Sequence, residues 1–296
     1  NQGFDTFYGY LCQRVAHNYY PTHLWHNDIK EMLIGNESWF SAHQKIDSVP
    51  NSYDSYSSQT YAPDRILEEA VGFIDTHANQ PFFLYFPSII PHLALQIPDE
   101  ELDLYSKDWD KKPYLGDKGY LPHPRPRAAY AAMITRFDYE VGRLYQTLVK
   151  HGIQDNTLII ITSDNGPSWI GGVDMNFFQS QGGLKGRKAQ LWEGGIRVPT
   201  VVNWGNVLKP NKNHTPCAFW DWYPTLAALA GCELDIKIDG INLLPMLKGD
   251  ASNENRTLYW EHGKTMAFRN RDWKLLEFKT AEGIDIHLYN LKDDPY

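Results

Sequence analysis

Asp164, Asn165 and Gly166 end an apolar, β-branched run, TLIIITSDNG at 157–166, with a carboxylate, a carboxamide and a glycine. Two oxygen-bearing side chains followed by glycine suit a hard cation such as Ca2+ or Mg2+. The same residue types also favour a plain turn, and this stretch alone leaves both readings open. A second constellation, QSQGGLKGRKAQLWEGGIRVP at 179–199, sets Lys185, Arg187 and Lys188 between glycines on either side. Glycine lets a backbone approach a ligand closely, and a lysine held there presents a compact charge to an anion. A solvated surface loop would carry the same residues. His92, in IPHLAL, follows the apolar run PFFLYF and is either a ligand or proton donor, or a satisfied structural histidine.

These residues need elements to position them. An apolar run bounded by turn residues predicts a strand buried on both faces of a parallel sheet, which puts Asp164 and Asn165 at the carboxyl edge where open α/β sheets bind ligands. PFFLYFPS predicts a second buried strand and VPTVVNWG a third. Pro63 opens a helix in which Ile66, Leu67, Ala70, Val71 and Ile74 keep helical spacing. AAYAAMITRFDYEVGRLYQTLVKHG predicts a long amphipathic helix with an apolar face of Tyr130, Met133, Ile134, Phe137, Val141, Leu144 and Leu148, closed by Gly152. Helix and strand in alternation predict an α/β fold, a mostly parallel sheet flanked by helices. Asn1 to Thr60, rich in Tyr, Trp, His and Asn, reads as long loops with short strands. Past residue 210 the texture changes: DWYPTLAALAG predicts a short helix, and TLYWEH, KTMAFRN, WKLLEF and IDIHLYNL predict a smaller C-terminal antiparallel sheet. The expected division is an α/β domain over 1–209 and a C-terminal subdomain over 210–296.

The chain of 296 residues is 42% hydrophobic and 22% charged, enough for a sizeable core. Its formal net charge of −8, with no block of Lys or Arg, argues against nucleic acid as a partner. An acidic protein that handles an anion must gather positive charge locally. Cys12, Cys217 and Cys232 are too scattered for a disulfide framework or a zinc pair, which leaves one disulfide open and the compartment undecided. No apolar stretch approaches the length of a membrane span. The opening NQGFDTFYGY and the closing LYNLKDDPY are abrupt, and the expectation is a fragment or a processed product.

Taken in order along the chain, GFDTFYGYLCQRVAHNYYP, PFFLYFPSIIPHLAL, TLIIITSDNG, GGLKGRKAQLWEGGIRVP, FWDWYPTLAALAG and RNRDWKLLEF resemble the conserved segments of the sulfatase family, the formylglycine-dependent arylsulfatases of the alkaline phosphatase superfamily. The resemblance spans nearly the whole chain. It implies that Asp164 and Asn165 are metal ligands, usually for Ca2+. It further implies that His92 contacts the sulfate ester and assists the leaving oxygen, that Lys188 binds sulfate and helps protonate the leaving group, and that Gln13 lies near a polar substrate-binding position. Glu193 and Arg197 are expected to shape the loop. A sulfated small molecule or saccharide is the implied substrate, with Trp25, Trp39, Tyr19 and Tyr20 as candidates to stack on sugar rings. The implied location is periplasmic or secreted.

The family's formylglycine arises from Cys or Ser in a C/S-x-P-S/A-R motif, and that motif does not occur in this sequence. The N-terminal aspartate pair and the GKWHLG segment are absent too. All precede the GFDxFxGY segment in the family, so the expectation is an incomplete catalytic domain without turnover of its own. Two other readings stay open: a phosphodiesterase or phosphonate hydrolase of the same superfamily, and a noncatalytic module that binds sulfated glycan.

Overall fold

Pro63 lies in the first turn of helix Ala62–His77, where its missing N–H has no intrahelical role, and Leu67, Ala70 and Ile74 form the buried stripe the spacing predicts. The computed structural model describes residues 3–250 and 256–295. The chain forms two compact units, Asn1–Gln154 with Ser168–Asp174, and Asp155–Pro167 with Met175–Tyr296. The change of texture near residue 210 falls inside the second unit.

In the first unit the early loops carry a three-stranded antiparallel sheet of β1 (Tyr8–Gly9), β2 (His23–His26) and β3 (Ile29–Met32). Helix Pro126–Lys150 packs beside helix Ala62–His77 and runs in the same direction: Arg136 pairs with Asp64, and Lys150 with Asp75 at 2.8 Å. It ends as predicted. Gly152, at φ +69°, donates its N–H to Val149 O, and Ile153 donates to Leu148 O, a Schellman closure that needs glycine's freedom at positive φ. The buried face keeps Met133 and Leu148, with Tyr130 and Phe137 packed on the core, but differs from the expected one in part. Ala128, Ala129, Ala131, Ala132, Met133, Glu140, Thr147 and Leu148 are buried, whereas Ile134 is 44% exposed. Small alanines let the helix approach the core of Tyr19, Leu93, Leu95 and Met133 closely, and a pattern scored on large apolar side chains misses them.

The PFFLYFPS segment is a correction. Residues 81–89 form no strand and join no ladder among the described residues, and Phe83 and Tyr85 are 56% and 58% exposed. An apolar run reports hydrophobicity; a strand also requires a partner that offers its N–H and C=O groups.

In the second unit the strand before Asp164 is β4 (Ile159–Ile161), and its partner is β5 (Val201–Asn203), from the VPTVVNWG run. The pairing is antiparallel, and β4 is half-buried along its length. The expected mostly parallel sheet, buried on both faces, is therefore not what the structure forms: every ladder between strands among the described residues is antiparallel. Continuous β-branched sequence does not encode strand direction. The expected C-terminal helix and antiparallel sheet form. Helix Trp222–Leu229 closes on Gly231 at φ +70°, and β6 (Thr257–His262), β7 (Thr265–Asn270), β8 (Trp273–Thr280) and β9 (Gly283–Asn290) form a four-stranded antiparallel meander. Alternation along β8 buries Lys274 and Leu276 on the face that meets Leu191, Trp192 and Ile196.

Candidate functional site

In the second unit the turn after β4 and the glycine-rich loop are laced together through their backbones. Gly166 N–H donates to Gly195 O at 2.9 Å, and Lys188 N–H donates to Pro167 O at 2.9 Å. Glycine is required for this approach, since a Cβ on Gly166 would lie 1.9 Å from Gly194 O, and one on Gly195 would lie 2.0 Å from Gln190 O. The consequence is that the candidate residues Asp164, Asn165 and Lys188, separate in sequence, belong to one knot. Asp164 is exposed and Asn165 half-buried. The Asn165 side-chain amide donates to Gly166 O at 2.9 Å, and Ser163 Oγ donates to Asn165 O at 3.0 Å, so the turn is held from within.

The cations of the loop differ in what they touch. Lys185 Nζ sits 3.8 Å above the Trp192 ring, a cation–π contact that occupies it. Lys188 is half-buried at the knot itself. Glu193, 5% exposed, accepts Lys274 Nζ at 2.7 Å, with Arg269 at 3.8 Å and Arg197 at 3.9 Å. Its role is to tie the loop to the C-terminal sheet, as expected of it. Burial pushes the Lys274 ammonium below its ordinary pKa, and the Glu193 carboxylate opposes that shift.

His92 lies in the first unit on a loop pinned by Tyr19. The buried Tyr19 hydroxyl stands 2.7 Å from Ile89 O and 2.6 Å from His92 O, sharing its one proton between them. Tyr19 N–H donates to Gln96 Oε1 at 2.9 Å. His92 Nδ1 lies 2.7 Å from Leu93 O; a carbonyl only accepts, so Nδ1 carries a proton in this contact. Tyr19 and Tyr20 are thus core residues, at 0% and 5% exposure, which removes both from the sugar-stacking candidates. Trp39, 57% exposed, and the half-buried Trp25 remain accessible. Gln13 opens the exposed single-turn helix Gln13–Ala16, also in the first unit.

Three residues at His92 escaped the sequence reading. The His17 ring stacks on His92, with centroids 5.0 Å apart and 9° between planes, and His17 Nδ1 is 3.0 Å from His43 Nε2. Tyr120 meets His17, His43 and His92 at 5.4, 4.6 and 5.9 Å. No local signal marks them, because the cluster with His92 assembles from four segments distant in sequence.

Two oxygen donors at Asp164 and Asn165 match a hard cation in kind, but Ca2+ takes about six to eight oxygens. Among the described residues no group of three or more His, Cys, Asp or Glu side chains is gathered to hold a metal. The turn supplies two oxygen donors of the kind such an ion takes, and the described residues do not complete the set.

The model of the sulfatase family matches residues 1–232, and the chain belongs to that family. It is 28% identical to the uncharacterized sulfatase YdeN of Escherichia coli over 265 residues, which cover 88% of this chain and 40% of YdeN. It is 37% identical to the steryl-sulfatase of Rattus norvegicus over 203 residues, covering 67% of this chain and 32% of that protein. The crystal structure of Ps i-CgsB in complex with k-i-k-neocarrahexaose matches with a TM-score of 0.74 at 27% identity, over 99% of this chain and 61% of that one. The chain thus spans less than two thirds of the length of each relative.

Proposed function

We propose that this chain is part of a sulfuric ester hydrolase acting on a sulfated saccharide. The observation that carries the reading is the backbone knot that joins the Asp164–Asn165 turn to the backbone of Lys188: two hard oxygen donors and a cation carried on one knot suit a dense anion such as sulfate. Lys188 would bind the nonbridging sulfate oxygens and steady charge at the leaving oxygen. His92, protonated at Nε2, would donate to the departing alcohol oxygen as the S–O bond breaks and the electron pair stays on oxygen. Asp164 and Asn165 would hold Ca2+, with Mg2+ as the second choice. When present, a formylglycine supplies the oxygen nucleophile and the metal neutralises charge on the sulfate. The nucleophile lies in sequence outside this chain on this reading.

The saccharide class is supported by the bound oligosaccharide of Ps i-CgsB and by exposed Trp39 on the early loops. Large polysaccharides do not enter the cytoplasm unaided, so a periplasmic or secreted location belongs to the proposal. The test uses the protein from its complete reading frame, assayed for sulfate release from aryl sulfates and a panel of sulfated oligosaccharides. Wild type is expected to release sulfate, and Lys188→Ala to lower kcat/KM about 100-fold or more. Turnover of phosphoesters or phosphonates alone would overturn the reading. So would binding of sulfated glycan without cleavage.

A further inference from the structure

The histidine proposed as proton donor is held in two perpendicular directions, and the second of them has no role in the mechanism above. Within its own plane, His92 is fixed by the Nδ1–H bond to Leu93 O at 2.7 Å. That bond leaves the ring free to tilt about the axis through Nδ1. Tilt is opposed by the parallel face of His17 at 5.0 Å and by the edge of Tyr120 at 5.9 Å. His17 is anchored in turn: its backbone carbonyl accepts Ala94 N–H at 3.2 Å, and its Nδ1 is bonded to His43 Nε2 at 3.0 Å. The loop bearing His92 and the segment bearing His17 are therefore tied at backbone and at ring.

We propose that His17, braced by His43 and Tyr120, is a positioning residue that fixes the plane of His92 so that its Nε2 proton meets the leaving oxygen. This rests on the reading of His92 as proton donor. A histidine ring is suited to the task, because its flat polarisable face accepts a cationic neighbour as His92 carries the proton. Misplacement of a donor by about 1 Å costs a large factor in rate, and the penalty falls on substrates whose alcohol needs the proton. Good leaving groups depart without it.

The test compares 4-nitrophenyl sulfate, a good leaving group, with an alkyl or saccharide sulfate, a poor one, using the protein from its complete reading frame. His17→Ala is expected to lower kcat about tenfold on the poor substrate and less than about threefold on the good one, with KM unchanged. His92→Ala should show the same selectivity, enlarged. The double variant should be no worse than His92→Ala, because the effect of His17 passes through that ring. His17→Phe, which restores a flat ring, should recover most of the loss, and thermal midpoints report folding of each variant. Equal loss on both substrates, additivity with His92→Ala, or failure of His17→Phe to recover activity overturns the positioning role while leaving the hydrolase reading intact. If His92→Ala itself lacks leaving-group selectivity, the assignment of His92 fails and takes this inference with it.

Discussion

Glu140 shows what burial does to a single carboxylate. It is 1% exposed on helix Pro126–Lys150, and desolvation pushes its pKa up to about 7, although Ser88 Oγ donates to it at 2.7 Å and Arg136 lies one turn away. The folded state therefore keeps a proton that the unfolded chain releases near pH 4.5. Its contribution to stability is full below that value, falls as pH rises through the window to about 7, and is flat above. Glu140→Gln removes the penalty while keeping an acceptor for Ser88. It is expected to stabilise the protein at pH 8 by about 3 kcal/mol and to flatten the pH dependence between 4.5 and 7, measured by urea unfolding. Lys274 is the opposite case, a cation 1% exposed against a carboxylate 5% exposed. Lys274→Met leaves Glu193 buried without its closest partner and should destabilise by about 3–5 kcal/mol in the same assay. Adding Glu193→Leu should recover part of that loss, since the carboxylate no longer lies buried without its ammonium, while Arg269 and Arg197 lose their longer contacts to it.

At the scale of elements, the site depends on backbone approach more than on any side chain. Gly166 has no room for a methyl group against Gly194 O, so Gly166→Ala must push the Asp164–Asn165 turn away from the loop of Lys188. The expected result is about a 100-fold loss of sulfate release, with a stability change of only about 1–3 kcal/mol, measured on the protein from its complete reading frame. An activity loss that tracks stability instead would assign Gly166 to packing alone. Helices were legible from sequence because a cap and a stripe are local: Pro63, Gly152 and Gly231 mark ends that the structure keeps. Strand partners were not. The direction of β4 against β5 and the unpaired course of residues 81–89 depend on what lies alongside, which no window of sequence contains.

For the whole molecule, the absent C/S-x-P-S/A-R motif sets a sharp expectation. The 296-residue chain by itself should show no aryl sulfate turnover with or without added Ca2+, whereas the product of the complete reading frame should carry the mass of a formylglycine and turn over. Activity in the isolated chain would sink the assignment of the nucleophile to outside sequence. The charge of −8 bears on partners at the same scale: it gives this chain no general long-range attraction to polyanions, so the sulfate binding proposed above would have to be local, at Lys188 and its neighbours.

Sequence alone determined the family, the ordered motifs and the chemical type of each site residue, because these reside in residue identity and short spacing. It also determined the C-terminal meander, whose alternation and turns are local signals. Tertiary structure decided which cations are occupied, setting Lys185 on Trp192 and leaving Lys188 at the knot. It decided that Tyr19 is a core residue that pins the loop of His92, and it brought His17, His43 and Tyr120 to that ring. The physical reason is common to all of these. Burial, stacking and backbone approach are properties of chain segments meeting in space, and their sequence separation leaves no periodic or compositional trace.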